Sequence, residues 1–139
     1  MLKRSGLSRK SMLRRLAIVR RRVYTGPPPK VRALVRIRAD HMCEWPNCGR
    51  VGTDYHHRLG RKMGGRYGPR RVELNSPAWL LLACRTHHDH VTSASGVRLV
   101  DVRAMGGVLT AEQDAAEVAV HTRHGWVLLD NDCGCWTEL

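Results

Sequence analysis

The chain has 139 residues, with 24 Lys and Arg against 12 Asp and Glu, 8 His, 5 Cys and no Phe. This length fits one domain, or one small domain with tails. No apolar stretch approaches the ~20 residues of a membrane-spanning helix, and no apolar segment with a cleavage site indicates secretion. We therefore expect neither an integral membrane protein nor a secreted disulfide scaffold, but a cytoplasmic protein in a reducing compartment.

The net charge of +12 is concentrated at the N-terminal end, where residues 1–39 hold 13 Lys and Arg and no acidic residue. Residues 91–139, by contrast, hold 3 basic and 7 acidic residues. Such an Arg-rich arm is typical of proteins that bind polyanions, most often nucleic acid. Two alternatives stay open, a solvated arm that only improves solubility and a mitochondrial transit peptide. In the nucleic-acid interpretation, the arm contacts DNA through Arg14, Arg15, Arg21 and Arg22.

The N-terminal third predicts two helices. Residues 1–25 alternate basic and apolar side chains, which favours an amphipathic helix, and the Gly-Pro-Pro-Pro segment 26–29 ends it. A second helix is predicted from Lys30 to Asp40, because a helix readily begins just after proline. Its apolar stripe would face a core, while three basic side chains off that stripe would face solvent: Arg32, Arg36 and Arg38.

The rest of the chain predicts short elements joined by loops. A strand is expected within residues 51–57, and the apolar run 79–83 fits either a strand or a helix. A helix should begin at Thr86 or His88 and run to about Thr92. We divide the chain into a basic arm with a Pro-rich linker (1–29), a central domain (30–95) and a C-terminal extension (96–139).

The C-terminal extension carries two further signals. Thr110 and Gln113 form a possible capping box, which predicts a short helix over residues 111–117. Residues 118–122 and 126–130 flank a His-Gly pair and predict a β-hairpin. Cys133 and Cys135, separated by one glycine, receive no functional assignment.

Two pairs of metal-ligating residues flank the glycine-rich middle of the chain. Cys43 and Cys48 are spaced as Cys-x4-Cys, and Cys84 and His87 as Cys-x2-His. Thiolates and imidazole are the ligands that zinc prefers, and four protein ligands close a structural site. The spacing therefore predicts one structural Zn²⁺. The alternative is a set of buried free cysteines beside a surface histidine.

Three more histidines form a second group. His56 and His57 are adjacent at the end of a predicted strand, so their side chains should face opposite sides. One can then bind a metal while the other accepts a proton. His88 follows His87 directly and must point away from the zinc if His87 binds it. The alternative is that these are ordinary surface histidines.

The string from Asp54 through His56, His57 and Arg58, then Gly64-Gly65, then the run ending Cys84-x-x-His87-His88 resembles the HNH endonucleases. The similarity is closest to small phage-type enzymes and covers about residues 40–92. It implies an α+β fold, namely a ββα-metal (His-Me) finger with a structural zinc knuckle, here with an N-terminal basic helical arm and a C-terminal β-hairpin. The last knuckle of the family usually ends in Cys, and His87 stands at that position here.

The resemblance also implies the roles of the site residues. His57 corresponds to the general base, and His56 and His88 to the ligands of a catalytic divalent ion. The family's Asn usually lies nine residues before the final His, where this chain has Trp79. The nearest Asn is Asn75, which we assign the role of orienting the loop and the base; alternatively, it only forms a turn.

The expected reaction is hydrolysis of DNA phosphodiester bonds by a His-activated water with one divalent cation, which is Mg²⁺, Mn²⁺, Ni²⁺ or Zn²⁺. Four basic residues in and before the glycine-rich stretch would contact DNA phosphates: Arg58, Arg61, Lys62 and Arg66. The alternative is that this stretch is only a solvated loop. The resemblance further implies a phage or prophage origin, a DNA-packaging terminase as partner and the host bacterial cytoplasm as location. No membrane and no organic cofactor are expected. The rival interpretations are a non-catalytic zinc DNA-binding module and a packaging adaptor with the same fold.

Overall fold

A computed structural model describes residues 24–60 and 68–139. The predicted arm helix, with Arg14, Arg15, Arg21 and Arg22, and three predicted phosphate contacts, Arg61, Lys62 and Arg66, lie outside these ranges. The described part is a small mixed α/β structure with short helices, one two-stranded and one three-stranded antiparallel sheet. No helix within it is both long and apolar enough to cross a membrane.

Helix α1 (Pro29–Arg38) confirms the predicted second helix and begins one residue earlier. Proline is tolerated in a first helical turn because the N–H groups there have no intrahelical partner. The helix ends before Asp40 and His41, which both adopt left-handed backbone angles, with φ of 49° and 60°. Arg38 differs from the prediction, since it is buried rather than exposed.

Strands β1 (Asp54–His57) and β2 (Leu80–Ala83) pair antiparallel. The first confirms the predicted strand at a shorter length, and the second shows that the apolar run is a strand. Tyr55 lies opposite Leu82 and His57 opposite Leu80, so these four side chains share one face. That face packs on α1, where Leu80 and Leu82 form an apolar cluster with Val35.

Two helical segments lie between the strands, and one follows them. Helix α2 (Pro69–Leu74) and a 3₁₀ turn (Pro77–Trp79) lead into β2. Helix α3 (Arg85–Thr92) begins immediately after β2 and confirms the predicted helix, with Cys84 as its N-cap residue. The chain order is therefore strand, strand and helix, with α2 and the 3₁₀ turn inserted.

The C-terminal part contains α4 (Gly96–Ala104) and a three-stranded sheet of β3 (Val120–Thr122), β4 (Gly125–Leu129) and β5 (Trp136–Glu138). Pairing of β3 with β4 confirms the predicted hairpin. Neither α4 nor β5 was predicted from the sequence. Neither has a strong periodic signal, since α4 begins at a glycine and β5 has only three residues, all exposed.

The predicted helix over residues 111–117 is wrong, and this segment forms turns. Gln113 does accept a hydrogen bond from the Thr110 backbone N–H (2.9 Å), as the capping box predicted. The backbone carbonyl of Ala115, however, accepts a hydrogen bond from the buried Arg58 guanidinium (2.8 Å). The Asp114 carboxylate also accepts from the Ala116 backbone N–H (2.9 Å), and a local side-chain bond of this kind competes with helix formation.

The largest apolar cluster joins the middle of the chain to its C-terminal part. It combines Trp79 and Leu81 with residues of the C-terminal turns and sheet, among them Leu109, Val120 and Val127. All of these side chains are at most 3% exposed. The C-terminal part therefore covers the face of the β1–β2 hairpin that α1 leaves open.

Candidate metal centre and histidine site

The four predicted zinc ligands come together in one cluster. The ligand atoms of Cys43, Cys48, Cys84 and His87 all lie within 4.8 Å of one another. His87 Nδ1 is 3.5 Å from Cys43 Sγ and 3.4 Å from Cys84 Sγ. With Zn–S of about 2.3 Å and Zn–N of about 2.0 Å, a tetrahedral site has S···N edges of about 3.5 Å. The donor set and its spacing are therefore compatible with one zinc ion.

Two separate elements supply the ligand pairs. Cys43 and Cys48 lie in the loop after α1, which closes through a bridge between Met42 and Val51. The backbone N–H of Cys43 donates to the carbonyl of Arg50 (2.8 Å) across the same loop. Cys84 and His87 lie at the N-cap and in the first turn of α3. The cluster thus ties the end of α1 to the start of α3.

Burial affects the ionisation of these ligands. It raises the pKa of the Cys43 thiol to about 12. Burial acts in the same direction at Cys84, but the His87 backbone N–H and the two neighbouring thiols bring that pKa below its usual value. Burial also lowers the pKa of His87, which favours the neutral ring that metals bind. A bound cation would balance the negative charge of the buried thiolates, because an unpaired buried anion is strongly unfavourable.

A buried ion pair that the sequence did not predict fixes the Cys43–Cys48 loop to the sheet of β1 and β2. The Arg38 guanidinium donates to both carboxylate oxygens of Glu44, at 2.8 and 2.9 Å. Glu44 Oε2 also accepts from the Leu82 backbone N–H (2.7 Å). Trp45 stacks on the His87 ring, with centroids 5.5 Å apart. The only sequence signal for the Arg38–Glu44 ion pair is that Glu44 is an acidic residue between Cys43 and Cys48 in a basic chain.

His56 and His88, the predicted ligands of the catalytic ion, face each other. Their ring centroids are 6.2 Å apart at an interplanar angle of 77°. His56 is buried, and its Nε2–H donates to the Gly107 carbonyl (2.9 Å), so Nδ1 is the nitrogen without a proton. Burial lowers the pKa of His56 to about 4. A ligand histidine typically donates its other N–H to a carbonyl in this way.

His88 Nδ1 is buried and has no hydrogen-bond partner among the described residues. The carboxylate of Asp89 lies 3.6 Å from it, beyond hydrogen-bonding distance. A buried nitrogen of this kind usually has a partner in a folded protein. His88 Nδ1 is therefore an unpaired buried ring nitrogen on a ring that lies beside His56.

His57 lies on the other face of β1 and contacts Asn75. The Asn75 Nδ2 donates to the carbonyl of Thr25 (3.1 Å), which fixes the orientation of the amide. Asn75 Oδ1 must therefore accept the hydrogen bond from His57 Nε2 (2.9 Å). In the neutral ring the second nitrogen, Nδ1, then carries the basic lone pair. The two side chains meet although they are 18 residues apart.

Trp79, which occupies the usual position of the family's Asn, is a core residue with 1% exposure. Its backbone carbonyl accepts from the Arg58 N–H (2.8 Å) beside β1. Asn75 reaches His57 instead from the C-terminal end of α2, where it is the C-cap residue. The displacement of four residues is thus compatible with contact to the predicted base.

The structure corrects the prediction that Arg58 contacts DNA. Its side chain is 0% exposed. Its guanidinium donates to four backbone carbonyls. Three of these hydrogen bonds are 2.8 Å long, to Gly106, Ala115 and Val118, and the fourth, to Ala78, is 3.2 Å. Burial lowers the pKa of Arg58 to about 10. Arg58 therefore holds the C-terminal turns against the hairpin.

The remaining cysteines lie apart from the metal cluster. Cys133 and Cys135 form a disulfide in the loop between β4 and β5, and both side chains are exposed. Within residues 24–60 and 68–139, no second group of three or more potential metal ligands converges.

The chain matches no protein-family model, no curated protein and no solved structure. The fold and the site therefore define its class as a small mixed α/β protein with a Cys₃His cluster compatible with zinc.

Proposed function

We propose that the protein is a metal-dependent endonuclease of the HNH type, which hydrolyses DNA phosphodiester bonds. The observation that carries this proposal is the 2.9 Å contact between His57 and Asn75, beside a buried His56 that faces His88. The order β1, β2 and α3 supports a ββα-metal finger over residues 54–92. In such a finger the hairpin supplies the base and one ligand, and the helix supplies the other ligand.

His57 acts as the general base. Because its Nε2–H donates to Asn75, the lone pair on Nδ1 takes the proton from the attacking water near neutral pH. Asn75 is a positioning residue, since it holds the ring in one orientation and is itself held by the Thr25 carbonyl.

His56 and His88 would hold the divalent ion, which is Mg²⁺, Mn²⁺, Ni²⁺ or Zn²⁺. When bound, the ion would neutralise charge on the scissile phosphate and stabilise the leaving oxygen. His56 offers Nδ1, because the Gly107 carbonyl occupies its Nε2–H. His88 offers a ring nitrogen that no described side chain satisfies.

The Cys₃His cluster has a structural role in this proposal. Cys84 and His87 lie at the start of α3, so a zinc ion there fixes the position of the next residue, His88, relative to β1. The 13 basic residues within residues 1–39 support DNA as the substrate. A phage packaging terminase as partner and the host cytoplasm as location rest on the sequence resemblance alone.

Incubation of supercoiled plasmid with each of the four divalent ions tests the proposal. The wild-type protein should convert the plasmid to nicked or linear DNA with at least one ion. His57→Ala should lower this rate by about 10²- to 10⁴-fold, the usual contribution of general-base catalysis. His121→Ala on β3 is the matched control, because the proposal gives this histidine no role, and it should cut at the wild-type rate.

Two results would contradict the proposal. The first is a zinc-loaded, folded wild-type protein that binds the plasmid but cuts it with none of the ions, which would favour a non-catalytic DNA-binding module. The second is cleavage by His57→Ala at the wild-type rate.

A further inference from the structure

A basic groove runs along α1 on the side of the helix next to Tyr55. It has a volume of about 400 Å³ and is lined by residues of α1, by His41 and by Tyr55. Arg32 and Arg36 are the cationic side chains of α1 in this groove, and they are four residues apart. Residues at this spacing on a helix are neighbours on one face, with Cβ atoms about 5–6 Å apart.

Aromatic rings support both guanidinium groups without neutralising them. The Arg32 guanidinium lies 5.9 Å from the centroid of Tyr24, and that of Arg36 lies 5.8 Å from the centroid of Tyr55. Tyr55 is itself fixed, because its hydroxyl donates to the Arg32 backbone carbonyl (3.1 Å). Cation–π contacts of this kind orient a guanidinium while its charge stays available.

No carboxylate pairs with either arginine. The ion pairs of the described residues involve Arg38, Arg70, Arg85 and His88, and residues 1–23 and 61–67 contain no Asp or Glu. The Nε of Arg32 is buried and also has no hydrogen-bond partner among the described residues. The groove therefore presents two fixed cations, one of which has an unpaired buried donor.

The position of the groove relates it to His57. Tyr55 and His57 are two residues apart on β1, so they share the face of the strand that packs on α1. A polyanion that lies along α1 over Tyr55 thus lies on the same side of the hairpin as the His57–Asn75 pair.

We propose that this groove binds two successive phosphates of one DNA strand next to the scissile phosphate, through Arg32 and Arg36. This inference rests on the proposed function and replaces Arg58 as a phosphate contact of the central region. Phosphate contacts set the register of the strand and carry no sequence information. The groove would therefore position the backbone for cleavage without selecting a sequence.

The test compares two double variants of equal charge. Arg32→Gln/Arg36→Gln removes the groove cations, while Arg98→Gln/Arg103→Gln removes two exposed arginines from α4, on which the proposal places no DNA. Binding of a labelled DNA duplex is measured by fluorescence anisotropy over a range of salt concentrations. The groove variant should bind on the order of tenfold more weakly, and its log K against log [salt] slope should fall in magnitude by about 1.8, or 0.9 per lost phosphate contact. The α4 variant should keep the wild-type affinity and slope.

Zinc content and thermal unfolding of both variants check that the fold is intact. If the groove double variant does not fold, Arg36→Gln alone replaces it, because Arg36 is exposed, and its slope should fall by about 0.9. Equal affinities and slopes for the groove and α4 variants would overturn the groove proposal. Wild-type plasmid cleavage, measured in parallel, separates this result from failure of the proposed function. A wild-type protein that binds no DNA would overturn both.

Discussion

The Cys₃His cluster and the proposed His56–His88 site contain neighbouring histidines, His87 and His88, yet the two are built differently. Three thiols and the His87 imidazole converge within 4.8 Å of one another, a donor set that would complete a tetrahedral shell around one zinc ion. Around His88, the described residues place the His56 ring 6.2 Å away and the Asp89 carboxylate 3.6 Å from Nδ1, and they form no closed set of four ligands.

The difference in the number of protein ligands suits the two groups to different roles. A closed shell of four protein ligands leaves no position for a substrate, so the Cys₃His cluster suits a structural ion. Two imidazoles leave coordination positions for water and phosphate, so the His56–His88 pair suits an ion that takes part in a reaction.

Zinc removal should have the largest effect. Structural zinc in small domains binds with roughly 10–16 kcal/mol, so Cys84→Ser or chelation should abolish the cooperative thermal transition. Elemental analysis should find about one zinc per wild-type chain. Cys133→Ser/Cys135→Ser is the matched control and should keep both the zinc and the transition. A wild-type protein that is folded without any zinc would refute the structural role.

Loss of the buried Arg58 should be the next largest effect. Arg58→Met removes the donors to the carbonyls of Gly106, Ala115 and Val118. Each buried carbonyl left unpaired costs about 1–3 kcal/mol, so the free energy of unfolding should fall by about 3 kcal/mol or more. Urea unfolding measures this change, and exposed Arg98→Met should change it by less than about 0.5 kcal/mol. The interpretation fails if Arg58→Met keeps its stability but reduces the salt dependence of DNA binding.

Asn75→Ala should have the smallest effect. Loss of the contact that orients His57 should lower kcat roughly 10- to 100-fold, while DNA affinity and zinc content stay unchanged. Asn131→Ala is a close control, because its amide is likewise hydrogen-bonded to the backbone, accepting from the Ala78 N–H (3.0 Å), but the proposal assigns Asn131 no contact with the base. Equal kcat values for the two variants would show that Asn75 has only a structural role.

The sequence predicted the parts of the molecule that depend on local spacing. The Cys43/Cys48 and Cys84/His87 pairs each have the spacing of a zinc knuckle. The two pairs therefore form one site once the chain between residues 48 and 84 folds back. The alternation of β1 likewise predicted that His56 and His57 face opposite sides, and their different partners agree with it.

The parts that the sequence did not predict depend on partners distant along the chain. Arg58 looks like a solvated cation in sequence, but its carbonyl acceptors lie between 20 and 60 residues away. The Gly107 carbonyl that orients His56 could not be predicted either, because any backbone carbonyl can accept and no side chain marks this one.

If His87 holds the fold and His88 supports the reaction, substitutions at these two neighbouring residues should fail in different ways. Zinc content, thermal unfolding and plasmid cleavage are measured for His87→Ala and His88→Ala. His87→Ala should bind zinc more weakly and unfold at a lower temperature. His88→Ala should keep its zinc and its thermal transition, lose cleavage, and recover part of it with excess divalent ion. The account is contradicted if His88→Ala loses zinc while His87→Ala is stable, zinc-loaded and unable to cut.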